Sequence, residues 1–250
     1  MPAYAGIVHA ASGDKVVVAP GRYKESLVMR DGVSVLGAGW RTTIIDATIH
    51  TGSVVTFDRT RLDPVLSGFT ITGGSGDQRS EVGGVPVTIG GGILILNSSP
   101  IIRDNMITGN VLDDGYCLGA GIYIDAQAGD HPTIENNFIM GNLALSGTLE
   151  GTGRGGAIHA TVKNGGATIR GNRIEGNRAH EGGGVIVDNM ANASVTIERN
   201  TLRSNEAAHG AGLWLSDSDD STTAVINNLF AGNHSEAAAA TGGGIRAKAV

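Results

Sequence analysis

Tyr123, His159, Asp125, Asp188 and Trp214 are the side chains of this sequence whose types suit work on a sugar. A tyrosine beside a histidine can abstract and return a proton next to a carboxylate, the step shared by uronate lyases and epimerases. Arg154 would neutralise that carboxylate. Asp125 and Asp188 offer another route, because two carboxyl groups about 6.5–9.5 Å apart are the arrangement of inverting glycosidases. Tyr123, His159 and Trp214 also present flat faces suited to binding sugar rings. These residues are distant in sequence, so the chemistry depends on a fold that makes them neighbours.

A repeat supplies that fold. Asn-x-apolar-x-x-Asn recurs at 105–110, 137–142, 172–177, 200–205 and 228–233. Three positions before the first asparagine stand Ile102, Ile134, Ile169, Ile197 and Val225; two after it stand Ile107, Ile139, Ile174, Leu202 and Phe230. A small-Gly-apolar marker accompanies the frames, with Ile93, Ile122, Ile158, Val185, Leu213 and Ile245 as its apolar residues. β-branched residues at alternate positions, broken by Gly and Asn, predict short strands and tight turns. Three such strands per unit close one coil, and stacked coils pair each strand with its copy about 4.8 Å away.

Asn105, Asn137, Asn172, Asn200 and Asn228 then fall at a bend and are expected to form a structural ladder of side-chain amides. Gly109, Gly141, Gly176 and Gly232 precede the second asparagine, where a left-handed backbone is cheap. An outward column of Arg103, Glu135, Arg170, Glu198 and Ile226 alternates in charge, which supports the register.

The Asn/Gly/Ile frames resemble the repeats of the pectin lyase-like right-handed parallel β-helix superfamily, especially those of bacterial surface proteins. Gly13–Tyr23, Gly32–Gly39 and Gly68–Gly74 resemble its first coils. The resemblance implies an all-β solenoid of about seven coils and a partial one, forming a single domain over 1–250. Residues 1–15 are expected as the remnant of an N-terminal cap, 16–72 as the first two coils, 73–92 as an insertion loop and 93–250 as the Asn/Gly-Ile coils. The fold hosts lyases, hydrolases, epimerases, adhesins and stalks, so it leaves activity open. Neither the paired aspartates of polygalacturonases nor the calcium-aspartate and arginine set of pectate lyases is matched.

Length variation points to one face. Segments 73–90, 111–119, 143–155 and 234–242 exceed their counterparts at 178–182 and 206–210, and 126–131, 163–166, 189–193 and 216–222 are polar loops. Both sets flank the marker strand and are expected to wall an axial groove. The outward residues of that strand are Leu94, Tyr123, His159, Ile186, Trp214 and Arg246, followed two positions later by Leu96, Asp125, Thr161, Asp188, Ser216 and Lys248.

Other features read as structure. Asp217-Ser218-Asp219-Asp220 and Asp113-Asp114 could hold Ca²⁺ but read first as solvated loop tips, and Asp130-His131 as a turn before Pro132. The Gly-Gly-Gly runs at 90–92, 182–184 and 242–244 indicate close passage of backbones, since no helix with Lys-Ser/Thr follows. The histidines share no zinc-site spacing, and no cofactor is expected.

Cys117 is the single cysteine, so no internal disulfide can form. A formal charge of −6 disfavours a nucleic-acid partner, and no apolar run reaches the roughly 20 residues of a membrane span. Met1-Pro2-Ala3-Tyr4 opens no signal peptide, and the chain stops inside a motif at Gly243-Gly244-Ile245, so trimming of an extracellular or cell-surface protein is expected.

Two functions remain. One is a polysaccharide-engaging module, catalytic or not, with Tyr123 and Trp214 accessible in an open groove. The other is a structural or adhesive segment of a longer surface protein, with self-association through its open coil ends.

Overall fold

A computed structural model describes residues 2–145, 152–218, 220–235 and 242–249. Three parallel sheets of eight strands run the length of the stack. The first extends from Lys15–Val18 to Thr222–Ile226, the second from Gly21–Tyr23 to Leu229–Ala231, and the third from Leu27–Val28 to Ile245–Ala249. One strand from each makes a coil, so the described residues form eight coils, close to the seven and a part expected. Successive coils advance in the right-handed sense that parallel connections take. Residues 16–72 carry the first two coils and the opening strands of a third.

The register follows the repeat. Ile102 pairs with Ile134, then Ile169, Ile197 and Val225. Ile93, Ile122, Ile158, Val185, Leu213 and Ile245 are likewise partners in succession. Up to the last coil these columns form one continuous buried aliphatic core, which is how a chain with 4% aromatic residues fills its interior. In the outward charge column Arg170 meets Glu135 at 2.5 Å, whereas Arg103 pairs with Asp104 and Glu198 with Arg199 in their own coils. The alternation is real in register, but among the described residues only one contact between coils comes of it.

The asparagine ladder forms, and it is doubled. Along the first column, side-chain amides of Asn105, Asn137, Asn172 and Asn200 each donate to the carbonyl oxygen of the next asparagine, at 3.0–3.2 Å. Asn110, Asn142, Asn177, Asn205 and Asn233 repeat the pattern at 2.9–3.0 Å. Each acceptor oxygen also takes the backbone N–H of the asparagine one coil earlier, so the bends are stapled through both main chain and side chain. Gly109, Gly141, Gly176 and Gly232 do adopt left-handed backbone. So do Asp104, Asn136, Gly171, Arg199 and Asn227 before the first bend, all but Arg199 being of types that adopt this conformation readily.

Three features lie beyond three strands per coil. Short strands at Val111–Leu112, Leu143–Ala144, Arg178–Ala179, Glu206–Ala207 and His234–Ser235 form a fourth parallel sheet just after the second ladder. The insertion at 73–92 contains a hairpin, Asp77–Val82 and Val85–Ile89, which Tyr116–Leu118 and Gly153–Arg154 extend into a separate four-stranded sheet. A helix at Ala3–His9 lies on the first coil with Ile7 and Ala3 buried, and the Glu25 carboxylate accepts the N–H groups of Ala3 and Tyr4 at 2.8 and 3.2 Å. At the opposite end Leu229 is 58% and Ile245 is 45% exposed.

Candidate functional site

The marker strands carry the two outward columns in the expected pairing. Tyr123 is beside His159, His159 beside Ile186, and Ile186 beside Trp214. Asp125, Thr161, Asp188 and Ser216 are successive partners in the second column. The repeat therefore brings together the side chains that the sequence singled out.

Their exposure overturns the open aromatic groove. Tyr123 is 9%, His159 1% and Trp214 7% exposed. Among the described residues, the 73–92 insertion and Tyr116–Leu118 do not stand as groove walls; they fold down as a second layer. Ile89, Val87 and Leu118 of the added sheet pack with Leu94, Leu96 and Tyr123 as a small separate core. Trp214 is closed off by the His209 ring, 6.2 Å between centroids, and by the Arg246 guanidinium, 4.2 Å above the indole. Apolar side chains in the insertions gain more from covering this column than from facing water, at roughly 25 cal/mol per Å² buried. Segments 146–151 and 236–241, parts of two expected walls, lie outside the described residues.

The acid–base pair meets with the wrong electrostatics. Tyr123 and His159 rings sit 5.5 Å apart. Burial pushes the Tyr123 phenol up from its ordinary value, against the opposing pull of its Thr161 hydrogen bond, so the phenolate a general base requires is disfavoured. His159 Nε2 lies 3.1 Å from Asp188, and its Nδ1 is buried without a hydrogen-bond partner among the described residues.

Arg154 does not wait for a substrate carboxylate. Its guanidinium grips Asp188 at 2.8 and 3.3 Å and Glu181 at 2.8 Å. Burial raises the Asp188 carboxyl, but His159 and Arg154 outweigh that effect and hold it below the usual carboxylate range. Asp188 is thus an ion-paired carboxylate, unsuited to act as a general acid. Asp125 accepts a hydrogen bond from the Gln127 side chain.

The second column remains accessible. Asp125, Thr161, Asp188 and Ser216 are all partly exposed, and Lys248 is exposed. Arg154, Thr161, Asp188, Met190, Ser216 and Ser218 line a concavity of about 440 Å³ beside this stripe. The site thus moves two residues along the strand, from rings to carboxylates and hydroxyls. Two signals in the sequence would have revealed the cover. Gly83-Gly84 between two extended segments is a hairpin turn, and Val85, Val87 and Ile89 alternate as a strand with one face to bury.

Several remaining candidates are held in structural contacts. Asp217 accepts hydrogen bonds from Asn189 and Thr223, both at 2.8 Å, while Asp219 lies outside the described residues. No cluster of three or more His, Cys, Asp or Glu groups placed to hold a metal occurs among the described residues. Asp130 is fully buried, accepts the Gln127 N–H at 2.9 Å and lies 3.3 Å from Arg61, fixing the turn before Pro132. The Cys117 thiol, buried and pushed up to about 12, is unreactive. No described helix is long and apolar enough to cross a membrane.

Trp214 offers a direct check on the covered column. The chain has two tryptophans, so Trp40→Phe leaves Trp214 as the sole tryptophan, excited selectively over the tyrosines at long wavelength. Its fluorescence should be blue-shifted and resist acrylamide in the folded protein; quenching as strong as in denaturant would mean the column is open.

A family model described as right handed beta helix region matches residues 25–249. No curated protein and no solved structure matches the chain.

Proposed function

The chain belongs to the right-handed β-helix family, and we propose that it is a non-catalytic structural or adhesive segment of an extracellular or cell-surface protein. The observation that carries this reading is the commitment of the candidate catalytic groups to structure: Tyr123 and His159 are buried, and Arg154 and Asp188 are bound to each other. Two continuous asparagine ladders suit such a rod, since every layer is hydrogen-bonded to its neighbours.

A second reading keeps contact with polysaccharide but not turnover. It rests on the half-exposed polar stripe and the concavity beside Arg154 and Asp188, where hydroxyls and an ion pair suit sugar hydroxyl groups.

One experiment tests both. The protein is incubated with a panel of uronate and neutral polysaccharides, and new unsaturation, reducing ends and retention on the immobilised polymers are read together. No new unsaturation or reducing ends is expected. Cleavage or epimerisation that disappears in His159→Ala would overturn the non-catalytic assignment. Retention that is lost in Ser216→Arg, which fills the concavity, would establish the second reading, whereas no retention on any polymer would remove it.

A further inference from the structure

The turns that follow the marker strands are stacked too, and two of them differ in one residue that alters their chemistry. Lys163 pairs with Ala191 and Gly166 with Ser194, so Asn164 and Asn192 occupy one position in successive coils. Both have left-handed backbone, with φ of 54° and 45°, and both are exposed. The Asn192 side-chain amide donates to Asn164 Oδ1 at 3.0 Å. Asn192 is followed by Ala193, whereas Asn164 is followed by Gly165, and this is the one Asn-Gly pair of the chain.

The peptide groups after the two asparagines are held differently. The Ala193 N–H donates to Ser221 Oγ at 3.2 Å, which pins that peptide to the next coil. Among the described residues, neither the Asn164 carbonyl nor the Gly165 N–H has a hydrogen-bond partner. The groups on either side are tied. The Asn164 N–H donates to the Ala191 carbonyl at 2.7 Å, the Gly165 carbonyl accepts the Ser194 N–H at 3.0 Å, and the Gly166 N–H donates to the Asp130 carbonyl at 2.9 Å. One untethered peptide plane therefore sits between fixed anchors, with its nitrogen free to turn towards the Asn164 side chain. Glycine is required beside it, because a Cβ at position 165 would collide with the Gln127 carbonyl oxygen. The same bareness leaves the Gly165 nitrogen unhindered as a nucleophile.

We infer that Asn164 is a self-modification site, converted in the folded chain through a cyclic imide to aspartate and isoaspartate. The Gly165 nitrogen forms a bond to Asn164 Cγ and gives up its proton. The Cγ–Nδ2 bond breaks, and ammonia leaves carrying that proton. Water then adds to the imide: opening at Cγ gives aspartate on an unchanged main chain, and opening at the main-chain carbonyl gives isoaspartate. Negative charge develops on Oδ1 during the attack, where the Asn192 N–H already points, and a donor preorganised at such an oxygen lowers the barrier. No part of this chemistry involves the covered face of the marker strands.

The test is incubation of the full chain in ¹⁸O-water at mildly alkaline pH, folded and in urea, followed by peptide mapping with mass spectrometry. In the folded protein Asn164 should exchange its amide for an ¹⁸O-labelled carboxyl at least tenfold faster than Asn192 or the ladder residue Asn172. Its folded rate should lie within tenfold of its rate in urea. Asn192→Asp, of the same shape but with an acceptor in place of the donor, should slow Asn164 at least threefold in the folded chain and leave the rate in urea unchanged. A folded rate more than tenfold below the rate in urea would mean that the fold protects Asn164, and would overturn the inference. Equal folded rates in the parent and Asn192→Asp would overturn it as well. Should Asn192→Asp melt lower than the parent, Asn192→Gly, which keeps the left-handed backbone, decides: slowing at Asn164 supports the inference, and an unchanged rate overturns it.

Discussion

Asn172→Ala is expected to lower the unfolding free energy by about 3–5 kcal/mol, since each buried group left without a partner costs about 1–3 kcal/mol. Asn172 is 1% exposed and sits in the middle of its ladder. Its Oδ1 accepts the Asn137 backbone N–H at 2.9 Å and the Asn137 side-chain amide at 3.1 Å. Its Nδ2 donates to the Ile134 carbonyl at 2.8 Å and to Asn200 Oδ1 at 3.0 Å. A methyl group replaces none of these. The Asn137 side chain keeps its bond to Ile102, but its main-chain N–H is left unpaired in the interior. Asn177→Ala should cost a similar amount through the second ladder, where the same four bonds recur. Asn228→Ala should cost less than Asn172→Ala, because it makes three such bonds rather than four and sits in a partly exposed coil where water can reach the groups it leaves. Urea midpoints at constant slope measure all three. If Asn172→Ala and Asn228→Ala cost the same, the ladder is ornamental and the energetic account of the stack is wrong.

Arg154→Ala should also be damaging at neutral pH, by about 1–3 kcal/mol, because it leaves a partly exposed carboxylate with His159 alone for a partner. Asp188 would keep His159 but lose both guanidinium contacts. The pH dependence follows from the direction of the Asp188 shift. Its folded carboxyl lies below the ordinary range, so its contribution is complete above that range and is lost as pH falls through the folded value. The stability gap between the parent and Asp188→Asn should therefore be constant around neutrality and close in acid. Replacing both partners, as Arg154→Leu with Asp188→Leu, should recover part of the loss, because no unpaired charge remains. Urea unfolding at a series of pH values reads each arm. A gap that widens as the solution is acidified would show that Asp188 is not held as the ion pair described.

These two sites also mark the boundary of what the sequence makes legible. Position 172 is readable because a stacked fold turns sequence spacing into spatial adjacency: the invariant Asn frames place Asn137, Asn172 and Asn200 in contact, and the strand period of two puts His159 beside Tyr123 and Asp188 on the same outward side. The second ladder was equally available, since the two asparagines of each frame keep one spacing. Arg154 is different. It lies in an insertion with no counterpart of fixed length, so its partner depends on how that segment folds over the stack. The same holds for Ile89 and Leu118, whose packing on Tyr123 closes the face that the repeat had opened. Repeats specify their own geometry and are silent about material inserted between them. The left-handed position before the first bend carries a broken signal: Asp104, Asn136, Gly171 and Asn227 are of the types that adopt this conformation readily, but Arg199 is not.

The ladders have a direction. The main-chain N–H of Asn105 is satisfied by Asn137, that of Asn137 by Asn172, and that of Asn172 by Asn200, always from the layer that follows in sequence. During synthesis a newly emerged layer therefore holds its bend donors open until the ribosome delivers the next one. Growth of the native stack and growth of the polypeptide run the same way, and the most recently made turn is always the least finished.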